Sequence, residues 1–420
     1  MEVEATQVGK LAHAVFLNRM SDQPATSPEV RLGQGGFLAL RLADLLAPDR
    51  PPVEPDVFHY QLTATERYCA ELAHEGTEAA HLIGIVRAVA DAYRQGDVRL
   101  MVPNLFAYVH HLEQTLQLEE ALDVVETLAV IGGTRMSSED LVATRLQLGH
   151  LNRRLARFDE SDTAYAAAEQ AAALAGDHRS VLHSRIGHAI GLMRRGNLSG
   201  SESALVSVLA DCRDGGDPDT IAKAEHVLGD VLDKRGRPDE SAGHLWRAYE
   251  LYEDDAAKLL ALGDLGIVML RVGDVEGAER ALHRVATHSR QRDSVMNAQI
   301  ELMHCASFRR DRLGFERWRG ELKGGVDSMP PHVKADFYLK SGIGSARFGN
   351  FRKAGDSLDL AVRVAAEHKL HEFEFRIERI RAGLGDCEQA VTGPTVTAAE
   401  PRGWSDAVRE VSASLALLTP

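Results

Sequence analysis

The chain has 420 residues, 44% hydrophobic and 5% aromatic, with a formal net charge of −14. That acidic balance excludes a molecule-wide nucleic-acid surface, which needs clustered Lys and Arg. No apolar run approaches the roughly 18 residues that span a bilayer, Met1-Glu2-Val3-Glu4 is acidic where a secretory leader is basic, and the 4 cysteines form no CxxC pair, so a cytoplasmic protein with reduced thiols is expected.

Residues 4–20 and 36–46 read as helices. Between them, Gly33-Gln34-Gly35-Gly36 lacks the GxxxxGK[ST] spacing of a phosphate loop and reads as a plain loop before a helix. Arg31, Arg41 and Arg50 are too sparse, and the segment too lacking in a tight turn, for a DNA-reading helix pair. A Pro-rich break at 47–55 closes an N-terminal segment, residues 1–55. Residues 56–100 then read as a helix pair, 56–74 and 77–95, with Phe58, Leu62, Tyr68, Leu72 and Ile83, Val86, Val89, Tyr93 at helical spacing. This pair is expected to be a divergent repeat or cap.

Residues 101–385 carry a pattern that returns about every 40 residues. Its phase residue is small: Gly149, Ala189, Gly229, Gly266, Gly342. Seven positions on stand Ala156, Gly196, Gly236, Gly273 and Gly349, where a first helix must stop and turn. At twelve, sixteen and nineteen stand Ser161, Tyr165, Ala168, then Ser201, Leu205, Val208, Ser241, Leu245, Ala248, Ala278, Leu282, Val285, and Ala354, Leu358, Ala361. These describe a second helix crossing the first. An upstream unit phases on Val109, with Ala121, Val125 and Leu128. The unit phased on His304 is degenerate, and a slip of about two residues is needed to bury Phe315, Trp318 and Leu322. No sheet-like alternation occurs. Residues 386–420 read as a Thr/Pro/Ala linker and a final amphipathic helix over 405–417.

These residues resemble the tetratricopeptide repeat family, in a long-repeat form similar to that of bacterial regulatory proteins. Arg145, Arg185 and Glu225 replace the family's bulky aromatic, and its closing proline is absent. The resemblance implies an all-α, right-handed superhelical solenoid of antiparallel helix pairs with a concave groove. It further implies a scaffold or adaptor that binds a peptide or helix of another protein there. The alternatives are a sensor of a peptide or small molecule and an enzyme on a helical frame.

Two stripes are candidates for the groove. Five residues past each phase stand Arg154, Arg194, Lys234, Arg271, Arg309 and Arg347, a cation ladder suited to acidic groups. The same residues fall in the last helical turn, where cations stabilise the helix dipole without any ligand. Ile190, Met193, Ile267, Leu270, Phe308 and Ile343 form an apolar stripe suited to a partner's anchors, to a neighbouring unit or to self-association. No cofactor motif is found. His226, Asp230 and Asp233 share a helical face, which reads as a solvated polar face rather than a metal site.

Overall fold

The computed structural model describes residues 11–418 apart from 22–23, 49, 213–215, 369 and 392–402. Every regular element among them is a helix, and none is long and apolar enough to cross a membrane. The chain divides into two compact units, Met1–Arg195 and Gly196–Pro420.

The first unit opens with a tight 3-10 turn, Ala14–Met20, and helix α1, Pro28–Ala43. The start of α1 is written locally. The hydroxyl of Ser27 accepts from the amide of Val30, Pro28 occupies the first turn, and Glu29 complements the dipole. The four residues expected to be a loop, Gly33 to Gly36, therefore lie inside α1, which begins eight residues before the helix read from sequence. A Cβ at Gly33 would stand 2.5 Å from the carbonyl oxygen of Phe16, and one at Gly36 2.6 Å from the Phe16 ring. Close packing thus offsets the roughly 1 kcal/mol that each glycine costs a helix. Residues 4–10 of the first expected helix lie outside the described residues.

Helices α2 (Pro55–Glu71) and α3 (Thr77–Gln95) form the expected pair, followed by α4 (Val102–Gln114) with α5 (Leu118–Gly132), α6 (Ser138–Arg154) with α7 (Phe158–Ala175), and α8 (His178–Arg194). Phe16, Leu40, Phe58, Leu82, Leu105 and Tyr108 make one core beneath them. The basic residues of this segment are engaged locally: Arg31 pairs with Glu75, Arg50 with Asp44, and Arg41 lies over Phe37.

The second unit contains α9 (Leu198–Asp211), then the pairs α10 (Pro218–Lys234) and α11 (Pro238–Leu251), α12 (Asp255–Val272) and α13 (Val275–His288), α14 (Arg292–Phe308) and α15 (Arg312–Lys323), and α16 (Pro331–Arg347) and α17 (Phe351–Glu367). Helix α18 (His371–Val391) packs on α16 and α17, and α19 (Asp406–Ala416) docks on α11 and α13. The final amphipathic helix therefore turns its Val408, Val411 and Leu415 inward, into the core that holds Leu245 and Leu282. Helix α18 continues past residue 384 into the segment expected to be linker; the remainder, 392–402, lies outside the described residues.

The repeat phase survives in detail. A Cβ at Gly229 would stand 2.7 Å from the Leu245 side chain, which is why a small residue marks the crossing of first and second helices. The turn positions all have positive φ: Gly196, Gly236, Gly273 and Gly349, with Leu116 and Ala156 adopting the same conformation in the earlier units. In the degenerate unit the positive φ belongs to Arg310. Its phase residue is therefore the buried Met303, and the slip is one residue. Phe315 and Leu322, at twelve and nineteen in that register, are buried; sixteen falls on Arg319, and Trp318 beside it is half-buried.

Candidate ligand groove on the first helices

Each first helix presents residues two before, one after and five after its phase residue on a single ridge, at spacings of three and four. In α12 these are Asp264, Ile267 and Arg271; in α14, Glu301, His304 and Phe308; in α16, Lys340, Ile343 and Arg347. Together α12, α14 and α16 with α18 enclose a cavity of about 390 Å³. Its apolar wall includes Leu260, Ile267, Leu270, Phe308 and Phe373, and its polar lining includes Asp264, Glu301, His304, Asp336, Lys340 and Arg376.

The polar floor is incomplete. Lys340 reaches both Glu301 and Asp336 at 2.5 Å, with Lys340 and Glu301 nearly inaccessible. Burial opposes the ammonium charge, and the two carboxylates outweigh it, so Lys340 stays charged. Among the described residues, the other oxygen of Glu301, Oε2, has no hydrogen-bond partner, nor has the buried Nδ1 of His304. Burial, with the nearby charges of Lys340, Arg347 and Arg376, holds His304 well below the ordinary histidine range and neutral. Buried polar atoms normally find partners, so two orphans in one cavity mark an unfinished hydrogen-bond set.

Beside this cavity, Nε2 of His226 on α10 lies 2.9 Å from Oδ2 of Asp264, and its Nδ1 lies 3.2 Å from the Tyr252 hydroxyl. Burial disfavours the imidazolium, but the Asp264 hydrogen bond more than offsets it and raises the His226 pKa. Desolvation, with the charge of Asp264, pushes Asp230 up to about 7. Of the three residues read as a polar face, Asp233 leaves the group to pair with Arg271. Asp264 takes its place beside His226 and Asp230.

The cation ladder is dispersed. Arg154 pairs with Glu113 at 3.2 Å, Arg271 with Asp233, and Arg309 with Glu279 at 2.6 Å, so these three tie a first helix to the preceding pair. Arg347 lies 3.5 Å from the Phe308 ring centroid and donates to the Ser307 hydroxyl at 2.7 Å. Arg194 and Lys234 are exposed. Local desolvation and the like charges of Arg153 and Arg154 lower the Arg194 pKa. With the phase on Met303, Arg309 stands six residues on, and Phe308 holds its unit's place in the ladder. Of the apolar stripe, Ile267, Leu270 and Phe308 meet in the cavity, while Ile343 packs toward Leu339 and Leu358. Ile190 and Met193 are half-buried on α8.

Asp264, Glu301 and Lys340 belong to neither of the two stripes legible in the sequence, which lie one, four and five residues past the phase. The residue two before the phase, one turn earlier on the same face, was the available signal. Asp336 lies one turn further back on the same ridge of α16, whereas Phe373 and Arg376 belong to α18, and no repeat position announces them.

No family model and no curated protein matches the chain. Solved structures do. The Rap conjugation gene regulator of the plasmid pLS20, solved with a peptide, is 12% identical with a TM-score of 0.49, over 79% of this chain and 97% of that one. A Rap protein complexed with Competence and Sporulation Factor is 12% identical, with a TM-score of 0.48, over 83% and 100%. The apo quorum sensor NprR from B. thuringiensis is 10% identical, with a TM-score of 0.47, over 78% and 97%.

Proposed function

We propose that this chain is a non-catalytic adaptor that binds a short segment of another protein in the cavity of α12, α14, α16 and α18. The observation that carries the reading is the unfinished polar floor beneath an apolar wall: beside Ile267, Leu270, Phe308 and Phe373, Glu301 Oε2 and His304 Nδ1 have no hydrogen-bond partner among the described residues. A peptide satisfies both halves, since its side chains fill the wall and its backbone or polar groups reach the floor. Lys234, exposed at the end of α10 in the same unit, is available to acidic flanking residues of such a partner. Buried free thiols at Cys69, Cys212 and Cys305 suit a reducing compartment such as the cytoplasm.

A sensor reading is favoured by one feature. Helix α18 contributes Phe373 and Arg376 to the cavity, so an occupant, peptide or small molecule, touches a terminal helix whose position it can bias.

Panning the full-length chain against a random peptide-display library tests the adaptor reading. Enriched peptides with a common apolar anchor are expected, and Ile267→Asp and Phe308→Asp should each weaken them at least tenfold. Absence of enrichment, or enriched peptides indifferent to both substitutions, overturns it.

A further inference from the structure

Asp264 has two settings. It lines the cavity, and it also faces His226 and Asp230 across the gap between α10 and α12. One nitrogen of His226 and one oxygen each from Asp230 and Asp264 all lie within 4.8 Å of one another. A hydrogen-bonded His–Asp pair explains Asp264, which accepts from Nε2 at 2.9 Å. It does not explain Asp230. That carboxylate stands one helical turn from His226 and makes no hydrogen bond among the described residues, although Lys234 and Asp233 act on it at longer range.

We propose that His226, Asp230 and Asp264 hold a divalent first-row transition-metal ion at the edge of the groove cavity. One imidazole and two carboxylates form a ligand set that Zn²⁺ accepts, with room for a further ligand. Donors bound to zinc stand roughly 3.3 Å apart, so the 2.9 Å His226–Asp264 contact needs to open by only a few tenths of an ångström. Tyr252 supplies the support that metal-bound histidines usually have. Its hydroxyl, 3.2 Å from Nδ1, accepts a hydrogen bond from Nδ1–H, which keeps the proton on that nitrogen and leaves the Nε2 lone pair facing the two carboxylates. The helices involved are the first members of successive pairs, so the ion cross-links two repeats and fixes the wall to which Asp264 belongs.

The test uses the full-length chain, stripped with EDTA and titrated with ZnCl₂ by calorimetry, with Co²⁺ absorption as a second readout. One ion per chain is expected, with a visible Co²⁺ band of low coordination number and a Zn²⁺-dependent rise in unfolding temperature. Asp230→Asn and Asp264→Asn should each weaken binding at least tenfold, and Tyr252→Phe by about tenfold. His226→Ala should abolish it. If His226→Ala fails to fold, Asp230→Asn decides, because Asp230 has no hydrogen bond to lose. No uptake, or uptake by Asp230→Asn and Asp264→Asn equal to wild type, overturns the proposal and assigns any residual binding to others of the 18 histidines.

Discussion

Two buried charge clusters, one in each unit, are built to different standards. Around Arg19, every donor has an acceptor. The guanidinium bonds to Glu78 at 2.9 and 3.1 Å, to Glu120, to Gln117 at 2.9 Å and to the Glu29 carbonyl, while the Tyr108 hydroxyl donates to Glu78 at 2.8 Å. Around Lys340, both carboxylates are engaged, yet Glu301 Oε2 and His304 Nδ1 are left without partners among the described residues. The first cluster ties α3 and α5 to the turn before α1 and leaves nothing for a ligand to do. The second borders a cavity. A closed hydrogen-bond set fastens structure, whereas an open one beside free volume is what a binding site needs.

The largest effect should come from breaking the closed set. Arg19→Met leaves Glu78 and Glu120 buried, unpaired and mutually repulsive, at a cost of about 3–5 kcal/mol. Urea unfolding of the full-length variant should show it directly. A loss under about 1 kcal/mol would mean that the network is no tighter than a surface ion pair.

A second test on the same unit uses pH. His13 is nearly inaccessible and sits between Asp123, 2.6 Å from Nδ1, and Asp44, 3.2 Å from Nε2. Burial opposes its charge, but the two carboxylates outweigh it and raise its pKa from 6.5 to about 9. The folded-state pKa exceeds the unfolded one. Its contribution, on the order of 2–3 kcal/mol, is therefore fully present below pH 6.5 and lost as pH rises through 9. Unfolding free energies at pH 6 and pH 9.5 should differ by that amount in the wild type and far less in His13→Asn. Equal differences in both proteins would assign the pH response to other groups.

How much of this contrast was legible in the sequence depends on period. The helix pairs, their crossing residues and their turns follow from a repeat, because Gly229 against Leu245 and Gly273 at positive φ obey local geometry that recurs. The cavity residues Ile267, Leu270 and Phe308 were legible for the same reason. The fate of the cations was not. Arg271 and Arg309 find acids on the preceding pair, Asp233 and Glu279, across 38 and 30 residues of sequence, and partner choice at that range is set by packing. The helical Gly33 to Gly36 was hidden in another way. Glycine signals a break unless a neighbour such as Phe16 needs the space, and no periodicity encodes that neighbour.

A smaller effect is expected at the border of the open cluster. The Arg347 guanidinium lies over Phe308, a cavity wall residue, and is anchored by Ser307. Arg347→Lys keeps a cation but loses the planar stack, at about 0.5–1 kcal/mol. Thermal unfolding should register that loss, and peptides enriched on the wild type should dissociate faster as Phe308 loosens. Unchanged dissociation would separate Phe308 from the binding surface.

The smallest stability effect, and the sharpest discrimination, belongs to Glu301→Gln. Glutamine keeps the shape, and its carbonyl oxygen can still accept from Lys340, which retains Asp336 as its counter-charge. The substitution also removes a buried charge whose second oxygen has no partner, so gain and loss nearly offset and the stability should move by less than about 1 kcal/mol. Binding should respond quite differently. Removal of that charge deprives an incoming donor of its charged acceptor and should weaken the enriched peptides at least tenfold. A variant as unstable as Arg19→Met would place Glu301 among the structural fastenings, and the groove would lose its polar floor. A variant that is stable but blind to its peptides would show that the two clusters differ in purpose as they differ in completeness.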